Sequence, residues 1–218
     1  MDLLKYDLYI FDYDGCLLDS MPMWRSSASN FIKSLGKEPE EGLDERIPIF
    51  TDIECGIKLK EEYNLNYDID TIMSMINEFV DLNYPKVKLK NGAQEILEKL
   101  KKNNKKVVLL SASGTHILEL SLNALGIKDY FIDVISIYNH ETLSKVTGSA
   151  ITYVMEKYKT NNLNTLIVDD SLSTILSAKK LGLDRIAIYD DYSSNEKEDL
   201  LKENANLYLT LDKLNKMF

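Results

Sequence analysis

From residue 86 onward the chain switches repeatedly between two periods, and this alternation restricts the fold more than any other feature. "AQEILEKLKK" spaces its apolar residues for a helix, while "KVVLLSAS" is a short β-branched and leucine run ending in small polar residues. "HILELSLNALG" reads as a helix with Gly126 beyond its end, and "YFIDVISI" as a strand. "SAITYVMEKY" is helical, "LNTLIVDD" a strand, "STILSAKKLG" a helix closed by Gly182, and "RIAIYD" a further strand. Helices alternating with short buried strands require β-α crossovers. The fold class is therefore α/β, with a Rossmann-like, mainly parallel sheet covered by helices on both faces. "NLYLT" predicts a last strand before a terminal helix.

The segment 20–86 breaks this rhythm. "WRSSASNFIKSLG", "DIECGIKLKEEYN" and "IDTIMSMINEFVDLNY" all carry helical spacing, and none of the segment reads as strand. The pattern predicts an α/β core made of residues 1–19 and 87–218, interrupted by a helical domain over 20–86. Its hinges fall around 17–21 and 84–89. Asp19 and Ser20 are placed to cap the first inserted helix, since both residue types accept from free backbone N–H groups. Trp24, Phe31, Met73 and Met75 are assigned to the insert's own core.

Composition narrows the partners. The 218 residues are 44% hydrophobic and 28% charged, which suits a globular chain with a real core. The formal net charge of −9 argues against wrapping nucleic acid or lying on an anionic membrane, because both need positive charge. A small anionic ligand stays compatible, since a bound cation or a few lysines reverse the field locally. Cys16 and Cys55 have neither metal-ligand nor disulfide-framework spacing, and the start lacks the order of a secretory peptide. The expectation is a cytoplasmic monomer or weak homo-oligomer that binds no membrane.

In an open parallel sheet, ligands bind beyond the carboxyl ends of the strands. The first strand runs into Asp12 and Asp14 of "YIFDYDGCLLDS", and the next ends in Ser111 and Ser113. A loop after the third carries Lys145, and the fourth ends in Asp169 and Asp170. Carboxylates gathered on one rim repel unless a hard cation neutralises them, and Mg²⁺ prefers oxygen ligands together with substrate phosphate. Asp12 is then suited to attack phosphorus and Asp14 to protonate the leaving oxygen. Ser111 suits a phosphoryl oxygen, and Lys145 offsets the charge on the transferring group.

These stations, D-x-D-G, a Ser/Thr, a Lys and an acidic pair, resemble the haloacid dehalogenase superfamily. The likeness runs through nearly the whole chain, including a helical insert of the C1 cap type, and is greatest to the phosphoglycolate phosphatase and β-phosphoglucomutase-like branch. The resemblance implies Asp12 as nucleophile and Asp14 as general acid/base, with the Asp14 backbone carbonyl also on the metal. It implies that Ser111, Ala112 and Lys145 contact the phosphoryl group. Asp12 and Asp170 would bind Mg²⁺ directly, and Asp169 directly or through water. Three departures stand out. "VDDSLSTI" supplies adjacent aspartates with Thr174 where many relatives have a later acid, Lys145 lacks a following proline, and Cys16 replaces a common threonine.

The implied function is Mg²⁺-dependent hydrolysis of a small phosphorylated metabolite through an aspartyl-phosphate. The alternative within the family is a phosphosugar mutase, but the mutases it resembles carry a histidine near the position of Trp24. A dehalogenase would leave Asp14 and the Asp169/Asp170 pair without work. A non-catalytic phospho-receiver also gathers acids, a hydroxyl and a lysine, but without so large a helical insert. Arg46, Lys58 and Lys60 are candidates to meet a second anionic group on the substrate, against the alternative of a solvated surface. His116 and His140 are too isolated for a metal pair, and the lysines of "KLKKNNKK" read as a solvated helix end.

Overall fold

A computed structural model of the chain describes residues 2–47, 50–138, 140–192, 199–201 and 207–218. The strands are β1 (Leu8–Phe11), β2 (Lys106–Ser111), β3 (Asp133–Ser136), β4 (Thr165–Asp169), β5 (Asp184–Ile188) and β6 (Leu207–Leu209). They form one sheet in the order β3-β2-β1-β4-β5-β6, and every neighbouring pair is parallel. The expected last strand is β6, so the mainly parallel sheet is parallel throughout.

All four residues of β1 are buried, which is why its sequence is a continuous apolar run without alternation. Leu8 and Ile10 pack with Val108, Leu110 and Ile167 against helices α8 (Ser149–Lys157) and α9 (Leu172–Lys180). Each such aliphatic side chain contributes about 1.5–3 kcal/mol by leaving water. On the opposite face the Tyr9 ring meets Phe218, with centroids 6.2 Å apart. The chain passes from β1 through β2 to β3 on one side, then returns to place β4 on the other side of β1. This reversal opens a crevice at the carboxyl ends of β1 and β4.

The chain divides into two compact units, Met1–Asp19 with Lys88–Phe218, and Ser20–Val87. The second holds α1 (Met21–Trp24), α2 (Ser27–Ser34), α3 (Leu43–Arg46), α4 (Ile53–Glu62) and α5 (Ile69–Asn83), and no strand among its described residues. Phe31, Phe50 and Phe79 meet edge to face at 5.7–5.9 Å, the first two buried and the third half-buried, and the unit also buries Ile32, Leu59, Ile72 and Ile76. Trp24 is half-buried and lies 5.4 Å from the Tyr84 ring, while Met73 and Met75 are half-buried on α5. The first unit also contains α6 (Ala93–Lys102), α7 (Thr115–Leu125) and α10 (Leu211–Asn215).

Three local expectations need correction. Trp24 to Gly36 is not one helix: Ser26 and Ser27 donate to the Pro22 and Met23 carbonyls at 2.8 and 2.7 Å, and the helix restarts at Ser27. Ser20 precedes α1 but makes no side-chain cap, because its backbone is already helical (φ −92°, ψ −17°) whereas a capping residue is extended. Asp19 does not cap this helix either; its N–H donates to the Lys88 carbonyl. The strand expected from Tyr130 begins only at Asp133, since a short 3₁₀ turn occupies Lys128–Tyr130.

Candidate active site

The site grows from the end of β1. The Asp12 N–H donates to the Val168 carbonyl at 2.9 Å, so pairing with β4 continues one residue past the strand. Tyr13 is fully buried, and its hydroxyl shares a 2.7 Å hydrogen bond with Ser121 of α7. This anchors the residue between the two aspartates. The chain then turns at Gly15, where φ is +75° and a Cβ would sit 2.5 Å from Asp170 Oδ2. Glycine is required there twice over, by conformation and by contact. Carbonyl acceptance at Tyr13 from the Cys16 and Leu18 N–H groups, at 3.3 and 2.8 Å, closes the turn.

β4 delivers Asp169 and Asp170 beside this loop. One ligand oxygen from each of Asp12, Asp169 and Asp170 lies within 4.8 Å of the others, and all three residues are buried. The Ser171 N–H donates to Asp169 Oδ1 at 2.9 Å and fixes that carboxylate. Lys145, from the loop between β3 and α8, donates to Asp12 Oδ1 and, at 2.9 Å, to Asp169 Oδ2. Lys145 thus bridges two of the three clustered carboxylates. Burial raises the Asp12 carboxyl to about 7; Lys145 opposes the shift, and Asp169 and Asp14 add to it. Burial alone would lower Lys145, but Asp12 and Asp169 outweigh it and hold the ammonium above its ordinary value.

This donor set fits a hard divalent cation. Buried carboxylate oxygens with no nitrogen or sulfur among them are the ligands Mg²⁺ prefers, and the missing side chain at Gly15 lets Asp170 join the group. Cys16 adds no ligand. Its thiol is pushed up by burial and by the three aspartates, so it stays protonated, 3.5 Å from the Val168 carbonyl.

The second side of the site comes from β2. Ser111 is buried, and its Oγ accepts from the Ser113 N–H at 3.0 Å, which leaves its own proton free to donate. Ala112 between them is exposed. Asp14 is half-buried, and its Oδ2 accepts from the Ser113 hydroxyl at 2.6 Å. Ser136 of β3 in turn donates to the Ser113 carbonyl at 2.7 Å. Sequence reasoning put Ser113 on this rim without giving it a partner. Periodicity locates a strand end but not which hydroxyl turns toward which acid.

A second charge pair, between half-buried Lys90 and buried Asp190, has no counterpart in the sequence reading. Lys90 donates to Asp190 at 2.6 Å and to the Tyr189 carbonyl at 3.2 Å, tying the segment before α6 to the end of β5. Nothing in the sequence signals a partner 100 residues away. The three cations proposed for specificity belong to the helical unit. Arg46 is paired with Glu40 and Glu62 at 3.2 and 3.1 Å, Lys58 donates to the Arg46 carbonyl at 3.4 Å, and Lys60 donates to the Tyr67 carbonyl. His116 and His140 take no part in the acidic cluster.

A model of the family described as haloacid dehalogenase-like hydrolase matches residues 9–188. The chain belongs to this family. Among relatives of this haloacid dehalogenase-like hydrolase, the phosphoglycolate phosphatase of Vibrio parahaemolyticus is 26% identical over 203 residues, covering 87% of this chain and 86% of its own. The phosphorylated carbohydrates phosphatase of Thermotoga maritima is 25% identical over 178 residues, covering 81% and 82%. A Thermotoga maritima crystal structure, provisionally a β-phosphoglucomutase, superposes with a TM-score of 0.81 at 20% identity, covering 96% of this chain and 97% of that one. That likeness is one of fold.

Proposed function

We propose that this hydrolase is a Mg²⁺-dependent phosphatase that cleaves small phosphorylated metabolites through an aspartyl-phosphate. The observation that carries the reading is the buried cluster of Asp12, Asp169 and Asp170, bridged by Lys145, at the reversal point of the sheet. Relatives named as phosphatases across most of their length support the same class.

Asp12, Asp169 and Asp170 would hold the cation with the Asp14 carbonyl, and when bound it supplies positive charge beside the transferring phosphoryl group. The remaining work falls to the chain. An Asp12 oxygen attacks phosphorus while the bond to the leaving oxygen breaks, and protonated Asp14 passes its proton to that oxygen. Lys145 and the Ser111 hydroxyl, with the Ala112 backbone N–H, stabilise the phosphoryl oxygens. Water then attacks phosphorus, the bond to Asp12 breaks, and Asp14 takes the water's proton. The phosphate leaves and the enzyme is restored.

In this reading the helical unit 20–86 is a C1-type cap that sets which substrates react, with Arg46, Lys58 and Lys60 meeting a second anionic group. Trp24 stands near where a mutase's proton-carrying histidine is expected; an indole has no titratable nitrogen for that role, which favours transfer to water.

The decisive experiment is hydrolysis of p-nitrophenyl phosphate with Mg²⁺, then with excess EDTA, alongside acid-quench trapping of a phosphoenzyme that alkali and hydroxylamine cleave. Repeated turnover that EDTA abolishes and Mg²⁺ restores is expected. Full turnover in EDTA would overturn the metal assignment, and a single phosphorylation event without turnover would make the protein a receiver.

A further inference from the structure

Helix α9 does more than follow the acidic pair. Its Ser177 is buried, and the hydroxyl has one proton with three carbonyl oxygens in reach: Lys145 at 2.6 Å, Ser173 at 2.8 Å and Val146 at 3.0 Å. The Ser173 contact is the usual bond of a helical serine to the preceding turn. The shortest contact leaves the helix and reaches the backbone of the lysine that bridges Asp12 and Asp169. The Lys145 carbonyl also accepts from the Gly148 N–H at 3.2 Å, which closes the turn carrying this lysine.

That turn lies directly on α9. Gly148 has φ +82°, and a Cβ there would sit 3.1 Å from Leu181 Cδ1 and 3.6 Å from Ser177 Cβ. At its other end, α9 starts right after Asp169 and Asp170, with the Ser171 N–H on Asp169 Oδ1. One rigid element therefore holds a carboxylate of the cluster and, further along, the backbone of the lysine bonded to it. A long lysine side chain has several rotatable bonds, so its ammonium is only as well placed as the backbone that launches it.

We propose that Ser177 is a positioning residue for Lys145, using its hydroxyl to fix the lysine's backbone against α9 so that the ammonium lies between Asp12 and Asp169. The inference rests on the reading of Lys145 given above. A serine that only stabilised the helix would act independently of Lys145, and this separates the two cases.

The test is a double-mutant cycle of Ser177→Ala and Lys145→Ala, assayed on p-nitrophenyl phosphate with Mg²⁺, with inorganic phosphate binding measured by calorimetry and thermal midpoints recorded. Ser177→Ala is expected to lower kcat on the order of tenfold, the scale of one lost hydrogen bond to a positioned group, and to weaken phosphate binding. In the Lys145→Ala background the same change is expected to cost almost nothing further. Losses that multiply, or a Ser177→Ala enzyme with full activity, would overturn the proposal. An active Lys145→Ala enzyme would instead overturn the role of Lys145. Should Ser177→Ala fail to fold, Ser177→Cys, which keeps the size and weakens the donor, replaces it in the cycle, and multiplying losses or full activity would again overturn the proposal.

Discussion

The two units treat charge in opposite ways. At the carboxyl edge of the sheet, Asp12, Asp169, Asp170 and Lys145 are enclosed together, and Lys90 with Asp190 forms a second enclosed pair just past β5. In the helical unit, Arg46 joins Glu40 and Glu62 in open solvent, and the interior is built from Phe31, Phe50 and Phe79. Burying a charge costs several kcal/mol unless partners satisfy it, while exposed pairs contribute little in either direction. A chain that centres one unit on packed rings has no structural need for six enclosed charges in the other. Enclosing charge at the sheet edge costs stability that the helical unit does not give up, as the proposed function expects of a site built for chemistry.

The largest way to break this comparison is Asp12→Asn. An amide is a poor nucleophile, so turnover should fall by about 10⁴-fold or more and the trapped phosphoenzyme should vanish. Retained turnover in a folded variant would remove Asp12 from its role. Asp14→Asn should come next, costing about 10²–10⁴-fold with sugar phosphates, whose alkoxide needs a proton, and much less with aryl phosphates. Equal losses on both substrate types would end the division of labour between the two aspartates.

A smaller effect, read as stability, is expected from Lys90→Ala. It leaves Asp190 buried without its cation, so unfolding should be easier by about 3–5 kcal/mol in a denaturant titration. A shift no larger than that of a surface substitution would show that the enclosed pair is not what separates the two units. Arg46→Ala should do least. Its thermal midpoint should match the parent's, while KM rises for a substrate with a second anionic group and stays constant for p-nitrophenyl phosphate. Unchanged KM on both would move specificity to other residues of the helical unit.

Much of this was legible in the chain itself. The run Leu8–Phe11, the helical spacing of Ala93–Lys102 and the small residues after Leu110 fix element types, because each follows from a local period. Asp12, Asp14, Ser111, Lys145, Asp169 and Asp170 could be named because strand ends are visible and a parallel sheet puts all of them on one edge. Errors arose where side chains compete with backbone: Ser26 and Ser27 end a helix that periodicity continues, and Ser20 lies in a conformation that forbids capping.

What the sequence alone determined is the alternation of strands and helices, the helical insert and the roster of acids at the rim, all of them properties of residues near one another in the chain. Only the tertiary structure decided who touches whom: Lys145 between Asp12 and Asp169, Ser113 on Asp14, Gly15 against Asp170, Ser177 on the Lys145 carbonyl and Lys90 on Asp190. These partners stand up to 155 residues apart, as Gly15 and Asp170 do, and no local period encodes such a pairing. Strand order brings them together, and strand order is set by the packing of the whole sheet.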